Sequence, residues 1–346
     1  DILRIYGYNN VEIPTTLKSS LTIAGDADKE FRRENQVSEQ LVGAGFNEIL
    51  NNSLTKQAYY DEDLYNCYPW ARTVKVMNPL SSDLGVMRQT LLFGGLESIV
   101  RNVNRKARNL RFFEVGNVYH FDEERYTTES PIKAYQQRYH LALWVTGHRV
   151  EGNWAHPDEE SSFFELKAYV ENVLRRVGLQ AGQVVTEASD NNIFDKGLRM
   201  KTRGGKVLVD MGIVNHHVLR RFDIEQPVYY AEIDWTELMK ATRKNSLLFQ
   251  ELSKYPAVSR DLALLVDANV EFAQIEQIAR QTEKKLLKQV VLFDVYQGKN
   301  LPEGKKSYAV NFILQDDSKT LNDKQITAIM QKLVQQLTKQ LGAELR

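Results

Sequence analysis

Arg101, Arg105, Lys106, Arg108 and Arg111 form a run of cations that could hold phosphate. They also stand at the end of an expected helix, where positive charge suits the negative pole of the helix dipole, so a solvated helix end and an RNA or subunit contact both stay open. His216 and His217 are adjacent, so on a helix or strand their rings point apart and cannot easily chelate one ion. Cys67, among Tyr65, Tyr68 and Trp70, reads as a buried or half-buried cysteine rather than a nucleophile. Glu165 and Lys167 follow Phe163-Phe164 near a helix start, where a carboxylate is expected from the dipole alone. There is no P-loop, dinucleotide-binding glycine fingerprint, His-Glu-x-x-His or Gly-x-Ser-x-Gly. No generic catalytic centre emerges.

The elements that carry these residues fall into three segments. Asp1 to about Pro14 reads as the end of an amphipathic helix (Ile2, Leu3, Ile5, Tyr6) closed by Gly7, so the chain is expected to be a fragment. Residues 15–245 mix helices with strands. Helices are expected over Asp28–Ala44 (Phe31, Val37 and Leu41 on one face), Leu91–Ala107 and Phe163–Val177. Strands are expected over Arg72–Met77, Leu110–Tyr119, Tyr139–Thr146, Lys206–Val214 and Val228–Asp234. Interleaving without regular βαβ spacing points to an α+β fold with a largely antiparallel sheet flanked by helices. In residues 253–346, strands Val258–Val266, Val290–Tyr296 and Ser307–Gln315 alternate with helices from Phe272 to Leu287 and behind Asn322, with Ala343–Arg346 as an edge strand. Asn322 and Gln325 stand in capping-box positions ahead of an apolar stripe from Ile326 to Leu341. The order β-α-β-β-α-β is the ferredoxin-like split motif.

Composition bounds the class. The chain has 346 residues, 42% hydrophobic and 26% charged, as in globular proteins of two or three domains. No apolar run approaches the length of a membrane span, and Asp1 to Tyr6 lack the layout of a signal peptide. One cysteine excludes an internal disulfide framework and a clustered thiolate zinc site, so a reduced, cytoplasmic setting is expected. Net charge is zero, but residues 253–346 carry 11 Lys and 3 Arg against 6 Asp and 5 Glu. That surplus of three positive charges is compatible with nucleic acid without demanding it.

Four phrases in order resemble one family. They are Arg4-Ile5-Tyr6-Gly7-Tyr8-Asn9-Asn10; Asn78-Pro79-Leu80-Ser81-Ser82-Asp83 running into Met87-Arg88-Gln89-Thr90-Leu91-Leu92; Leu110 to Tyr119; and Tyr255-Pro256-Ala257-Val258-Ser259-Arg260-Asp261-Leu262-Ala263. Together they resemble the beta subunit of bacterial phenylalanyl-tRNA synthetase across essentially the whole chain. The resemblance implies that residues 1–14 are the tail of a small helical domain and 15–245 a noncatalytic, degenerate class II synthetase module. It implies that residues 253–346 are a ferredoxin-fold anticodon-binding domain. It further implies a catalytic alpha subunit as partner in an (αβ)₂ assembly, tRNA as ligand, ATP used at the alpha subunit, and an interface around Asp28–Ala44.

Active members of the class II fold hold ATP and the amino acid with an Arg-x-Glu pair, and the ATP phosphates with a late glycine-rich strand ending in Glu-Arg. Here Arg111 and Glu114 are spaced Arg-x-x-Glu, which on a strand places them on opposite faces. Tyr229-Tyr230-Ala231-Glu232-Ile233-Asp234-Trp235 has neither glycine nor arginine. The chain alone is therefore expected to be inactive. The family's Mg²⁺ ligands lie just before Arg-Ile-Tyr-Gly-Tyr, and Asp1 matches the last of them. One carboxylate retains little Mg²⁺ affinity.

For RNA, a sheet with both helices on one face leaves the other free for unpaired bases and phosphates. Tyr255, Arg260, Tyr296 and Tyr308 are expected to flank the anticodon, with Lys305 and Lys306 on its backbone. The plainer alternative is that Tyr296 and Tyr308 merely cover the sheet while Arg260 pairs with Asp261 or Asp294. A structural paralogue, or a metabolite-regulated enzyme that lacks tRNA binding, are the rival functions.

Overall fold

Leu141-Ala142-Leu143-Trp144-Val145 is buried along its whole length because its strand is covered on both faces. The computed structural model describes residues 1–346 apart from 14, 17–24, 61–64, 246–248, 250 and 299, and only the backbone of 26, 27 and 181. The chain divides into two compact units, residues 1–247 and 248–346. The segment boundary expected at residue 14 lies outside the described residues.

The first unit runs α1 (Ile2–Tyr6), α2 (Asp26–Gly43), β1 (Asn47–Glu48), β2 (Leu54–Thr55), β3 (Val86–Met87), α3 (Leu92–Val103), β4 (Leu110–Phe121) and β5 (Tyr135–Thr146). It continues with β6 (His148–Val150), β7 (Glu159–Glu160), α4 (Phe163–Arg176), β8 (Val184–Ala188), β9 (Phe194–Thr202), β10 (Val207–Val214), α5 (His216–Arg220), β11 (Val228–Asp234) and α6 (Trp235–Thr242). Seven strands form one sheet in the order β1-β4-β5-β11-β10-β9-β8, antiparallel except where β1 meets β4. Leu92, Phe93, Leu96 and Ile99 of α3 pack on Phe112, Trp144 and Tyr230 from one face. Val37 and Leu41 of α2, Leu166, Val170 and Val173 of α4, and Leu238 of α6 pack on Phe113, Leu143 and Val145 from the other.

Three sequence expectations need correcting. Arg72–Met77 is no strand: a short 3₁₀ turn covers Trp70–Arg72, and only Lys75 bridges to Val86. Among the described residues, no wider sheet extends the pairing, and Met77 stands in solvent. Phe31 is exposed although Val37 and Leu41 are buried. Six residues at 100° each place it about 120° around the helix from Val37. The third concerns β8 and β9, which pattern reading missed because charged residues interrupt them (Glu187, Asp195, Lys196, Arg199, Lys201).

The second unit runs β12 (Val258–Asp267), α7 (Phe272–Thr282), β13 (Leu287–Tyr296), β14 (Lys305–Leu314), α8 (Asp323–Leu341) and β15 (Glu344–Leu345). Its sheet order is β13-β14-β12-β15, the ferredoxin-like arrangement. Gln325 N–H donates to Asn322 Oδ1 at 2.9 Å and Asn322 N–H to Gln325 Oε1 at 3.3 Å, the expected capping box. Gly342, at φ 62, closes the helix. Ile275, Ile278, Leu333 and Leu337 cover one face of the sheet. α7 ends five residues short of Leu287, where β13 has already begun. Among the described residues, no helix is long and apolar enough to cross a membrane.

Candidate nucleic-acid interface and polar centre

On β4 the period of two sends Arg111 and Glu114 to opposite faces, as their spacing requires. Arg111 bonds Glu165 of α4, with Nη2 3.1 Å from Oε1. Glu114 is fully buried on the α3 side and meets Arg88, Nη1 to Oε1 at 2.6 Å. Asn51 donates to the same carboxylate through its backbone N–H at 3.2 Å and Nδ2 at 2.6 Å. Arg88 Nε donates to Asn117 O at 2.9 Å. Arg111 on β4 and Arg88, which follows β3, are thus each committed to a protein carboxylate. Arg88 escaped the sequence reading although it stands within one of the resembling phrases.

Beside it, Glu232 of β11 accepts from Thr90 Oγ1 (2.6 Å), Tyr230 Oη (2.8 Å) and Leu91 N–H (3.2 Å), and contacts His140 Nδ1 at 2.9 Å. Burial alone raises its carboxyl, but His140 and the two hydroxyls outweigh that and leave it below the ordinary value. Burial, then the charges of Arg72 and His140, hold half-buried His120 down to about 4. A depressed histidine stabilises the fold fully above its unfolded value near 6.5, and that contribution is lost as pH falls towards 4. We expect the first unit to lose up to about 3 kcal/mol across that window through this group, less to the extent that solvent screens the half-buried ring, and His120→Gln to flatten the slope. Urea melts at stepped pH measure it, and parallel slopes for wild type and variant would count against this reading.

Cys67 is half-buried, and burial raises its thiol to about 12. The rings of His216 and His217 do not point apart as their adjacency suggested: their centroids lie 3.9 Å apart at an interplanar angle of 39°. Among the described residues no three His, Cys, Asp or Glu converge on a metal site. Asp1 caps α1 without a side-chain hydrogen bond and stands exposed. The described residues therefore do not assemble a donor set for Mg²⁺.

In the second unit the register sorts the six candidates. Arg260, Lys306 and Tyr308 pair with Phe312, Val266 and Leu264, so all three point to the helix layer. Tyr308 is buried with its hydroxyl on Val270 O at 3.1 Å. Lys306 lies buried with its ammonium 4.8 Å from the Tyr308 ring centroid. Arg260 pairs with neither Asp261 nor Asp294 and donates to Ser259 O at 2.9 Å. Tyr308 covers the helix-side face of the sheet, and these three do not share the open face. Lys305 and Tyr296 do: Tyr296 opposes Ser307, and Lys305 Nζ meets Glu344 Oε1 at 2.8 Å. Tyr255 precedes β12, half-exposed, its carbonyl accepting from Gln315 Nε2.

Residues absent from the expected set complete the open face. Arg346 lies 5.6 Å from the Tyr296 ring centroid, reached across β14 and β12. Phe293 stands exposed at the bulge between Leu292 and Asp294. Asn311 Nδ2 donates to Ser259 and Asp261. Strand alternation allowed the Arg346 parity to be read, but its distance to Tyr296 needed the strand order.

Comparison with known proteins agrees with this architecture. The ferredoxin-fold anticodon binding domain family matches residues 253–346. Residues 253–346 thus fall in the class of ferredoxin-fold anticodon-binding domains. The phenylalanyl tRNA synthetase beta chain CLM domain family matches residues 13–235. Phenylalanine–tRNA ligase beta subunits are 58% identical in Bacteroides fragilis, 59% in Bacteroides thetaiotaomicron and 51% in Porphyromonas gingivalis, each over all 346 residues. The chain spans 42% of the length of each. A solved pyrrolysyl-tRNA synthetase of Desulfitobacterium hafniense aligns over 62% of this chain and 70% of its own, with TM-score 0.47 and 13% identity. The chain belongs to the phenylalanyl-tRNA synthetase beta chain family.

Proposed function

We propose that the chain is a noncatalytic part of cytoplasmic phenylalanine–tRNA ligase that supports the catalytic alpha subunit and binds the anticodon region of tRNA. Residues 1–14 then end a small helical domain, 15–245 form a degenerate class II module and 253–346 bind the anticodon. The holoenzyme, an (αβ)₂ assembly, uses ATP at the alpha subunit, and Mg²⁺ belongs to the full-length beta subunit, with Asp1 the last of its ligands. Arg111 and Arg88, each tied to a carboxylate, support the noncatalytic reading, because a free cation is what triphosphate binding requires. Phe31 and Val42, exposed eleven residues apart on one stripe of α2, suit a subunit contact there.

The observation that carries tRNA binding is the Tyr296–Arg346 pair on an uncovered sheet face. An unpaired base can stack on the ring while the guanidinium contacts phosphate or the base face. Tyr296→Ala and Arg346→Ala in the reconstituted alpha–beta enzyme should each raise the KM for tRNA by about 1–3 kcal/mol in free-energy terms. Lys305→Ala should act more weakly and flatten the salt dependence. Wild-type KM in all three variants at low and moderate salt would remove this face from the anticodon site.

A further inference from the structure

β15 leaves most of one sheet edge uncovered. Its two residues pair with Leu264 and Leu265, and Arg346 N–H donates to Ala263 O. Among the described residues, no strand pairs with β12 on that side from Val258 to Leu262. Since Ala263 faces outward there, the alternation of an antiparallel ladder turns the backbone N–H and C=O of Asp261 and Ser259 outward too. Ser259 O accepts from the Arg260 guanidinium at 2.9 Å. Below the edge, on the helix side, lies a groove of ≈ 450 Å³ lined by Arg260, Leu262, Ile326, Met330, Val334 and Leu345. Its floor is apolar. At its mouth, Arg260 makes no ion pair among the described residues.

We propose that this edge takes an extended segment of another polypeptide, added as a strand in line with β15. The main-chain groups of Asp261 and the N–H of Ser259 recognise a main chain, the apolar floor takes a side chain, and a guanidinium that holds only the Ser259 carbonyl can exchange it for a carboxylate. The register specifies the segment. Continuing antiparallel to β12, one residue falls opposite Leu262 and points into the groove. The residue two further on falls opposite Arg260 and points the same way. The recognised sequence therefore reads apolar-x-acidic from N to C. A lone cation offers little to a nucleic acid backbone, and the open face proposed for tRNA is the opposite side of the same sheet. Both can be occupied together.

The test uses the full 346-residue chain and a fluorescein-labelled hexapeptide Thr-Leu-Thr-Glu-Thr-Thr, with a control that carries Lys in place of Glu. Fluorescence anisotropy should show saturable binding of the Glu peptide below about 1 mM and at least about tenfold weaker binding of the control. Arg260→Glu should reverse that preference, an outcome that misfolding cannot produce. Asp261→Pro removes an outward N–H at a sheet edge together with the carboxylate that Asn311 contacts. It should abolish binding while Asp261→Ala, which loses the carboxylate alone, keeps it, and far-ultraviolet circular dichroism should stay unchanged in both. No saturable binding, equal affinity for the two peptides, or a dimer in sedimentation that Asp261→Pro dissolves would each overturn the proposal. The dimer would assign the edge to a second copy of the chain.

Discussion

Glu114→Ala should cost the first unit about 3–5 kcal/mol, among the largest effects available to a single substitution here. Glu114 is wholly buried and the Arg88 side chain is 6% exposed, so neither charge has water to fall back on. Truncation leaves the guanidinium with two backbone carbonyls, Asn117 O at 2.9 Å and Asn51 O at 3.4 Å, and no counter-charge. It also strands Asn51 Nδ2, whose Oδ1 accepts from Ser98 Oγ. Removing both charges is a different matter. Arg88→Met with Glu114→Leu should recover most of the loss, because a desolvated pair gains little over well-packed apolar groups. Urea unfolding followed by tryptophan fluorescence reads this unit selectively, since Trp70, Trp144, Trp154 and Trp235 all lie within it. A loss under about 1 kcal/mol for Glu114→Ala, or a double variant no better than the single, would refute the account.

Gly95→Ala should also destabilise, against the helix propensity scale. Gly95 is in the interior of α3, where alanine is favoured by about 1 kcal/mol. A Cβ there would fall 2.5 Å from Trp144 Nε1 and closer still to the ring carbons. The indole is fully buried and cannot swing aside. Overpacking of this kind costs about 1–3 kcal/mol and sometimes more, so packing outweighs propensity and a net loss of about 2 kcal/mol is expected. Trp144→Phe should be milder in the Gly95→Ala background than alone, because the smaller ring vacates the space. If Gly95→Ala raises the urea midpoint, helix and strand are not packed as tightly as described.

Much of this was legible in the residues. Period-two alternation located β4, β5, β10 and β11, and the Asn322–Gln325 box fixed the start of α8 while its apolar stripe ran to its last residue, Leu341. The Arg-x-x-Glu spacing foretold that Arg111 and Glu114 would part. Alternation also held more than was taken from it. Arg260 shares parity with Leu262, Leu264 and Val266, and Lys306 and Tyr308 share it with Val310 and Phe312, so their helix-side placement was available from spacing. Their polar character argued the other way, and the apolar neighbours prevailed.

Local pattern determined which residues share a face, because the periods of helix and strand are properties of the backbone itself. The same holds for where helices start and stop, since caps act through bonds between near neighbours. Tertiary structure alone decided which charges meet. Arg88 and Glu114, Arg111 and Glu165, and Tyr296 and Arg346 are 26, 54 and 50 residues apart in sequence. Whether such groups touch depends on strand order, register and bulges such as that at Leu292/Asp294. Those are settled by the packing of whole layers, in which each side chain contributes a small part of a collective fit.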